Sequence, residues 1–327
     1  MSKASANLCG LFACLAIGAA TALSPAIADP SAIPRVGVLV RPLANAPYET
    51  GLRDGLRELG YIEGRSIFIE WRRSAGGDED RSLSADLARS KFDVVVVFST
   101  PGALAAMEAS PTVPIVFLSG DPVATGLAAS LARPGGNATG VTGVLTELTG
   151  KRMELLRQLA PRVRRIACLV NPTNPSGVLQ FEAAKTAARA LGVQLTKLEV
   201  RNSAELDAAL HKLPRGTRSG LFVTADGLFL VNKAKIAWAV REARLPATFP
   251  YRDYHDDGVL MSYGLNPLEV GRKMAGYVDK VLKGAKPGDL PIEQISKYEL
   301  IIDLRVAHEL GLDVPQTLLL QADQVIK

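Results

Sequence analysis

Residues 94–107, VVVVFSTPGALAAM, decide the fold class of this chain. Four consecutive valines followed by a phenylalanine are typical of a strand that is buried on both faces, as in a parallel sheet covered by helices. The alanine-rich segment behind them predicts a helix, with Thr100 as its N-cap and Pro101 in the first helical position. The hydroxyls of Ser99 and Thr100 are therefore expected beside free backbone N–H groups at the carboxyl end of a buried strand.

The rest of the chain alternates strands and helices in the same way. Strands are predicted at 35–40, 66–71, 94–98 and 115–118, with helical segments between them. The pattern starts again at 165–170, so two copies of one α/β unit follow each other, offset by about 130 positions. Such alternation favours parallel sheets with right-handed crossovers. The sequence therefore predicts an α/β protein made of two doubly wound parallel-sheet lobes.

The C-terminal segments do not begin a third copy of the unit. They are most simply used to complete both sheets, which makes the chain cross between the lobes more than once and forms a multi-crossing hinge. The turn-rich segment RPGGNATGVTG, residues 133–143, is predicted as the first crossing. The expected division is a signal peptide at 1–28, an N-terminal lobe at 29–140 plus about 265–296, and a C-terminal lobe at 141–264 plus about 297–327.

The first residues are typical of an export signal. Lys3 supplies a positive charge, residues 8–23 are apolar or small, and SPAIA at 24–28 ends in an A-x-A cleavage pattern. We expect cleavage after Ala28 and a periplasmic protein; the alternative is a retained membrane anchor. Of the three cysteines, Cys9 and Cys14 fall inside the signal, so the mature chain keeps only Cys168 and has no internal disulfide.

Charge and motifs exclude several classes of function. The chain carries 38 Lys+Arg against 33 Asp+Glu, and this small surplus does not indicate nucleic-acid binding. A short arginine cluster at 162–165 is interpreted as a solvated patch. His211, His255 and His308 lie far apart in the chain, and no nucleophile elbow, phosphate loop or dinucleotide motif follows a strand. We expect no enzyme activity, no metal and no cofactor.

Polar and aromatic residues follow the predicted strands of both copies, where open α/β sheets bind ligands. The helix start at Ser99 and Thr100 is interpreted as a carboxylate-binding site, in which the Gly102 and Ala103 N–H groups hold the carboxylate. Plain helix capping is the alternative. Acidic residues at strand ends would meet an ammonium group or act as caps, and tyrosines would form flat walls or pack in the core. The candidate site residues are Ser99, Thr100, Pro101, Gly102, Asp121, Asn171, Thr173, Asn174, Thr224, Asp226, Tyr48, Tyr254 and Tyr263.

Several longer stretches resemble the ABC-transporter substrate-binding protein family that includes the tryptophan- and tyrosine-binding type. The resemblance covers essentially the whole mature chain, in order. The stretches are STPGALAA, VPIVFLSGDPVATGLAASLARPGGNATGV, GKRMELLRQLAPRVRRIACLVNPTNP, GVLMSYG and YVDKVLKGAKPGDLPIEQISKYELIIDLRVAHELGLDVPQTLLLQADQVI. The segment YRDYHDDGVLMSYG (251–264) departs from the family pattern, which more often has Arg-Glu and then a Gly-Gly pair before the SYG strand.

This resemblance implies a type I periplasmic-binding-protein fold with a cleft that closes about a hinge. It also implies delivery of a small solute to an ABC permease in the inner membrane, with amino acids, often aromatic, as ligands. By motif match, the cleft residues are Ser99, Thr100, Asp121, Asn171, Asn174 and Asp226.

The leading hypothesis is a monomeric, exported solute-binding protein of an ABC importer that closes around an amino acid. The alternative is a periplasmic ligand-sensing protein that signals to a receptor, because one fold hosts both functions.

Overall fold

Residues 33–41 and 46–327 are the part of the chain that the structure, a computed structural model, describes. The predicted signal peptide at 1–28, its cleavage after Ala28 and the cysteines Cys9 and Cys14 lie outside the described residues. Cys168 is buried in the sixth strand as a free thiol, which is where the sequence placed it.

Strands and helices alternate through the described residues as the sequence predicts. The strands are β1 Arg35–Val40, β2 Phe68–Arg73, β3 Val94–Val97, β4 Ile115–Ser119, β5 Ala138–Thr142, β6 Arg165–Val170, β7 Gln194–Glu199, β8 Ser219–Val223, β9 Ala247–Tyr251, β10 Met261–Leu265, β11 Glu293–Gln294, β12 Tyr298–Asp303 and β13 Gln324–Ile326. The helices are α1 Pro47–Glu58, α2 Asp78–Arg89, α3 Thr100–Ala109, α4 Leu145–Leu159, α5 Pro175–Ala190, α6 Ser203–His211, α7 Gly227–Val231, α8 Lys233–Glu242, α9 Pro267–Leu282, α10 Leu304–Glu309 and α11 Gln316–Leu319.

These strands form two sheets. The first has the order β11-β5-β4-β3-β1-β2, and every neighbouring pair in it is parallel. The second has the order β13-β12-β10-β9-β8-β6-β7. In both sheets the strand order reverses at the first strand of the repeated unit, which is β1 in the first sheet and β6 in the second. Doubly wound α/β folds have this order, so the predicted fold class is confirmed.

The valine run of β3, Val94–Val97, is buried on both faces of the first sheet. Val94 and Val96 pack into the hydrophobic cluster under α1 and α9, whereas Val95 and Val97 pack into the cluster on the opposite face with α2 and α3. This burial on alternate sides is the physical reason that a continuous apolar run, rather than an alternating one, forms a central parallel strand.

One strand pair departs from the predicted parallel arrangement. Strands β10 and β12 are antiparallel, and Leu265 at the end of β10 pairs with Tyr298 at the start of β12. Between β10 and β12, the chain contributes α9 and β11 to the first sheet. The chain re-enters the second sheet at the end where β10 stops, so β12 runs in the direction opposite to β10. The antiparallel edge therefore follows from the hinge crossings.

The chain passes between the two sheets at three places among the described residues: between β5 and α4, between β10 and α9, and between β11 and β12. The predicted first crossing at 133–143 is wrong in part, because residues 138–142 form the strand β5. Small residues are needed in this strand, since a Cβ at Gly140 would collide with the carbonyl oxygen of Phe117. The crossing itself is Gly143 and Val144, and Val144 adopts a left-handed backbone with φ of 43°.

Helix α9 packs against α1 on the first sheet, although it follows a strand of the second. Glycines make this contact close: a Cβ at Gly271 would lie 2.5 Å from the carbonyl oxygen of Tyr48 and 2.7 Å from the nitrogen of Leu52. The contact fixes the start of α1, where Tyr48 lies. No helix within the described ranges is both long and apolar enough to cross a membrane.

Candidate ligand-binding site

A cavity lies where the carboxyl ends of both sheets face each other. The first sheet and its connections contribute Val40, Arg41, Ala46, Pro47, Tyr48, Glu49, Phe98, Ser99, Thr100, Leu118, Ser119 and Gly120. The second contributes Leu145, Asn174, Ser176, Ala225, Asp226, Gly227, Leu230, Tyr251 and Leu265.

Asp226 is the acidic group that the second sheet contributes to the cavity. It follows β8 and caps α7, and its side chain accepts a hydrogen bond from the Leu228 N–H at 2.8 Å. Asn174 donates to the same carboxylate at 2.8 Å, and Asn171 lies 3.3 Å from it. Burial raises the pKa of Asp226, and these donors, together with Arg41, oppose the rise. The carboxylate is thus oriented by its neighbours while it remains costly to ionise.

Arg41 is the cationic group that the first sheet contributes. It directly follows β1, and both of its terminal nitrogens donate to the Asp80 carboxylate of α2. Burial opposes the ionised form of Asp80, but Arg41 outweighs it and lowers the pKa of that carboxyl. The guanidinium fills the space that a Cβ on Gly227 would occupy, so residue 227 has no room for a side chain. Arg41 therefore reaches the second sheet while it stays paired within the first.

A cluster of hydroxyls lies at the start of α3. The oxygens of Thr100 and Ser119 lie 2.9 Å apart, and both side chains are buried. The predicted N-cap is wrong by one residue: Ser99 has the extended backbone of a cap and accepts from the Gly102 N–H at 3.2 Å. The Ala103 N–H donates to the Ser99 carbonyl at 3.0 Å. Both N–H groups that were expected to be free for a carboxylate are therefore already bonded, and hydroxyls are left facing the cavity.

An apolar wall encloses the other side of the cavity. The rings of Tyr48 and Phe98 pack with centroids 5.1 Å apart at 46°. The Tyr48 hydroxyl is buried and has no hydrogen-bond partner among the described residues. Burial raises the pKa of both Tyr48 and Tyr251, so both phenols remain neutral hydrogen-bond donors. Four leucines also line the cavity, namely Leu118, Leu145, Leu230 and Leu265.

Five of the thirteen predicted site residues line this cavity, and a sixth supports it. The lining residues are Tyr48, Ser99, Thr100, Asn174 and Asp226. Asn171 lies behind them and orients Asp226. Chain positions more than a hundred residues apart are thus brought together, because polar residues after parallel strands gather at one edge of a sheet.

The other predicted residues have different roles in the structure. Asp121 accepts from Thr146 Oγ1 at 2.7 Å, the hydroxyl of Thr224 donates to the Leu169 carbonyl at 2.8 Å, and Thr173 bonds to Asn171 at 2.8 Å. Three predicted residues serve packing, since Tyr254 stacks on Phe249, Tyr263 packs near Tyr298, and Pro101 is buried in the first turn of α3. The Gly102 N–H donates to the hydroxyl of Ser99, the N-cap of α3.

The sequence reasoning missed several cavity residues. Arg41 and Phe98 each directly follow a strand, so the strand-end rule that selected Ser99 also applied to them. Phe98 was instead assigned to the strand itself. Ser119 is the last residue of β4, and Tyr251 the last of β9. The pairing partner Asp80 gave no local signal, because it lies in the first turn of a surface helix.

The two sheets, the crossings between them and the cavity at their carboxyl edges define the type I periplasmic-binding-protein class. Within the described part of the chain, no group of three His, Cys, Asp or Glu residues is arranged to hold a metal ion. The family model for ABC transporter substrate binding proteins matches residues 36–326, and the chain belongs to this family. The family predicted from the sequence motifs is therefore confirmed.

Known proteins similar to this chain agree with that membership. The Tyrosine-binding protein of Clostridioides difficile (strain R20291) is 26% identical over 255 residues, which cover 77% of this chain and 73% of the relative. A conserved domain protein from Vibrio cholerae has a TM-score of 0.81 at 26% identity, over 90% of this chain and 100% of that one. An ABC domain from Streptococcus pneumonia, solved in complex with L-Trp, has a TM-score of 0.79 at 24% identity, with the same coverage. As a member of this family, the protein binds a small solute.

Proposed function

We propose that this protein captures an amino acid with an aromatic side chain in the cavity between its two sheets and delivers it to an ABC permease. One observation carries the proposal. A buried carboxylate from the second sheet, Asp226, and an aromatic pair from the first sheet, Tyr48 and Phe98, line the same cavity. An aromatic amino acid presents an ammonium group and a flat ring, the two chemistries that these groups recognise.

The ammonium end of the ligand would meet Asp226. Burial raises the pKa of this carboxyl, and a cation beside it would favour the ionised form. Asn174 and the Leu228 N–H hold the carboxylate in one orientation, so little reorganisation is needed when the ligand arrives. A charge pair of this kind is much stronger in a closed cavity than at the surface.

The carboxylate end would meet the hydroxyls of Thr100 and Ser119. The two groups share one hydrogen bond, and together they carry two protons, so one O–H remains to be donated to a ligand. Arg41 lines the same cavity and keeps N–H donors for a ligand, because Asp80 and the Ser74 carbonyl use only part of its five N–H groups. These groups take the role of carboxylate-binding donors that the sequence predicted for the Gly102 and Ala103 N–H groups.

The aromatic side chain would lie against Tyr48, Phe98 and the leucines that line the cavity. The unpaired Tyr48 hydroxyl would then find its hydrogen-bond partner on the ligand, which removes the cost of burying it alone. The likenesses to a tyrosine-binding protein and to a domain crystallised with L-Trp support this ligand class.

The cellular setting of the proposal rests on the sequence. We propose a signal peptide cleaved after Ala28, a periplasmic location and a monomer that presents both lobes to an ABC permease in the inner membrane. The lobes are proposed as 29–140 plus about 265–296 and 141–264 plus about 297–327. The proposal includes no cofactor and no catalysis.

The test is isothermal titration calorimetry of the purified protein with a panel of all proteinogenic amino acids. We expect an aromatic amino acid to bind most tightly and Asp226→Asn to weaken it by about 2–4 kcal/mol. The matched control is Asp279→Asn, a buried carboxylate on α9 that bonds to Tyr61 and Lys283 outside the cavity. It should keep wild-type affinity. Absence of heat from every amino acid would refute the proposed ligand class.

A further inference from the structure

A groove lies at the amino-terminal edge of the second sheet, at the end opposite the ligand cavity. Strands β6, β7 and β8 begin there in register, and Arg165 pairs with both Gln194 and Ser219. A strand of this length separates the two ends of the sheet by about 17–20 Å. The groove is open to solvent and is lined by Arg164, Arg165, Gly192, Gln194, Arg215, Gly216, Thr217, Arg218 and Ser219.

Four of these lining residues are exposed arginines, and the lining contains no acidic residue. Arg164, Arg165, Arg215 and Arg218 form no ion pair with any carboxylate of the described residues, whereas many arginines elsewhere on the surface do. The Arg164 side chain donates only to the carbonyls of Pro161 and Val163, at 3.0 and 3.2 Å. Like charges placed together repel one another, so an anion bound among these four guanidinium groups would be stabilised.

The lining of the groove also includes a buried hydroxyl and two glycines. Ser219 is 1% exposed, and its hydroxyl has no hydrogen-bond partner among the described residues. Gly192 and Gly216 line the groove, and a Cβ at either position would have nothing within 4 Å. Ser219 is thus part of the lining, and the two glycines leave free volume in the groove.

We propose that this groove binds a small soluble anion that carries two or more phosphate groups. Guanidinium groups present planar pairs of N–H donors that match phosphate oxygens in bidentate fashion. Four such groups supply more positive charge than a single carboxylate would neutralise, which favours a polyanion. The proposal does not depend on the proposed function, because the groove shares no residue with the amino-acid cavity.

The test is calorimetric titration of the purified protein with inorganic pyrophosphate at low ionic strength, where screening is weak. The variant Arg165→Gln/Arg215→Gln removes two charges from the groove. Its matched control, Arg57→Gln/Arg89→Gln, removes two exposed arginines from α1 and α2. We expect the wild type and the control to bind equally and the groove variant to bind at least about tenfold more weakly. Thermal unfolding checks that all three proteins fold.

Absence of pyrophosphate binding, or equal binding by the groove variant, would overturn the proposal. A second measurement separates a soluble ligand from a lipid headgroup. The protein is sedimented with vesicles of phosphatidylglycerol and phosphatidylcholine in equal parts, with pure phosphatidylcholine as the reference. Binding to the anionic vesicles through the same arginines without binding of pyrophosphate would overturn the proposal in favour of a membrane contact.

Discussion

At the scale of single residues, the charged cavity residues Arg41 and Asp226 differ in the partners that hold them. Arg41 is already neutralised by Asp80 within the first sheet, whereas Asp226 in the second sheet is held by neutral donors. We therefore expect the ammonium group of the proposed ligand to meet a carboxylate that forms no ion pair with the described residues. The contrast appears in the pKa of the two carboxyls, which is lowered for Asp80 by its ion pair and raised for Asp226 by burial.

Replacing Tyr48 by phenylalanine tests the unpaired hydroxyl in the cavity. In the free protein, Tyr48→Phe removes a buried polar group without a partner, and the free energy of unfolding should rise by about 1 kcal/mol. Ligand affinity should fall by about 0.5–1.5 kcal/mol, because the hydrogen bond to the ligand is lost. Chemical denaturation and calorimetry measure the two effects.

The control for this substitution is Tyr254→Phe. Its hydroxyl is also buried without a partner, but its ring stacks on Phe249 in the core of the second sheet, 4.6 Å between centroids. We expect a similar gain in stability and no change in affinity. A Tyr48→Phe protein with wild-type affinity would show that the ligand does not reach this hydroxyl.

His255 gives the stability of the protein a pH dependence. Burial lowers its pKa from 6.5 to about 4, with Arg252 adding to the shift and Asp303 opposing it. Its Nε2 contacts Ser262 Oγ at 2.9 Å, and its buried Nδ1 has no partner for a proton. Between pH 4 and 6.5 the unfolded chain therefore binds more protons than the folded one. The free energy of unfolding should fall by about 1–3 kcal/mol as the pH decreases through this window.

Urea denaturation of wild type and His255→Gln across this pH range isolates the effect. Buried carboxyls such as Asp226 and Asp253, whose pKa is raised, contribute with the opposite sign and are present in both proteins. The free energy of unfolding of wild type minus that of His255→Gln should increase toward high pH. A difference that is independent of pH would contradict the assignment to His255.

At the scale of elements, the contact between α1 and α9 sets the position of the aromatic wall. A Cβ at Gly51 would collide with the carbonyl oxygen of Leu268 and lie 3.0 Å from its Cα, and neither atom can move without shifting the α9 backbone. Gly51→Ala should lower the free energy of unfolding by about 1–3 kcal/mol. It should also weaken the ligand, because Tyr48 lies one turn away on the same helix.

The matched control for this change is Gly276→Ala on α9 itself. A Cβ at that position would have nothing within 4 Å, so only the better helix propensity of alanine acts. We expect a gain in stability of about 0.5–1 kcal/mol and unchanged affinity. Equal effects of the two substitutions would mean that the helix contact is not close-packed.

At the scale of the whole molecule, we expect ligand binding to depend on how closely the two sheets approach each other around the cavity. Gly120 follows β4 of the first sheet, and a Cβ there would collide with Ser176 Oγ on α5 and lie 3.1 Å from Leu145. Gly120→Leu should therefore hold the two sheets apart at this point, and its side chain would also occupy part of the cavity that Gly120 lines. We expect ligand affinity to fall by about tenfold or more and the radius of gyration with ligand to exceed that of wild type.

Small-angle X-ray scattering and calorimetry on Gly120→Leu measure these changes. Gly276→Leu is the control, because a Cβ at that position would have nothing within 4 Å. If Gly120→Leu kept wild-type affinity, close approach of the sheets at this point would not be required for binding.

Much of this architecture was predictable because its causes are local. The valines of β3, the Pro-containing helix starts and the second copy at β6 each depend on residues near them in the chain. The same holds for Asp226, which follows a buried strand and caps a helix. Residue types at strand ends were sufficient to select Ser99, Thr100 and Asn174. They did not distinguish these from Asp121 or Thr224, which follow strands as well and bond elsewhere.

By itself, the sequence determined the α/β class, the duplicated unit and the family, since periodicity, capping and motifs are properties of neighbouring residues. Only the tertiary structure decided which polar groups converge on the cavity, that Arg41 is paired with Asp80, and that β12 runs antiparallel to β10. These features depend on strand register and on the crossings between sheets, which join residues far apart in the chain. No local pattern encodes such contacts, because each is fixed only when both sheets have formed.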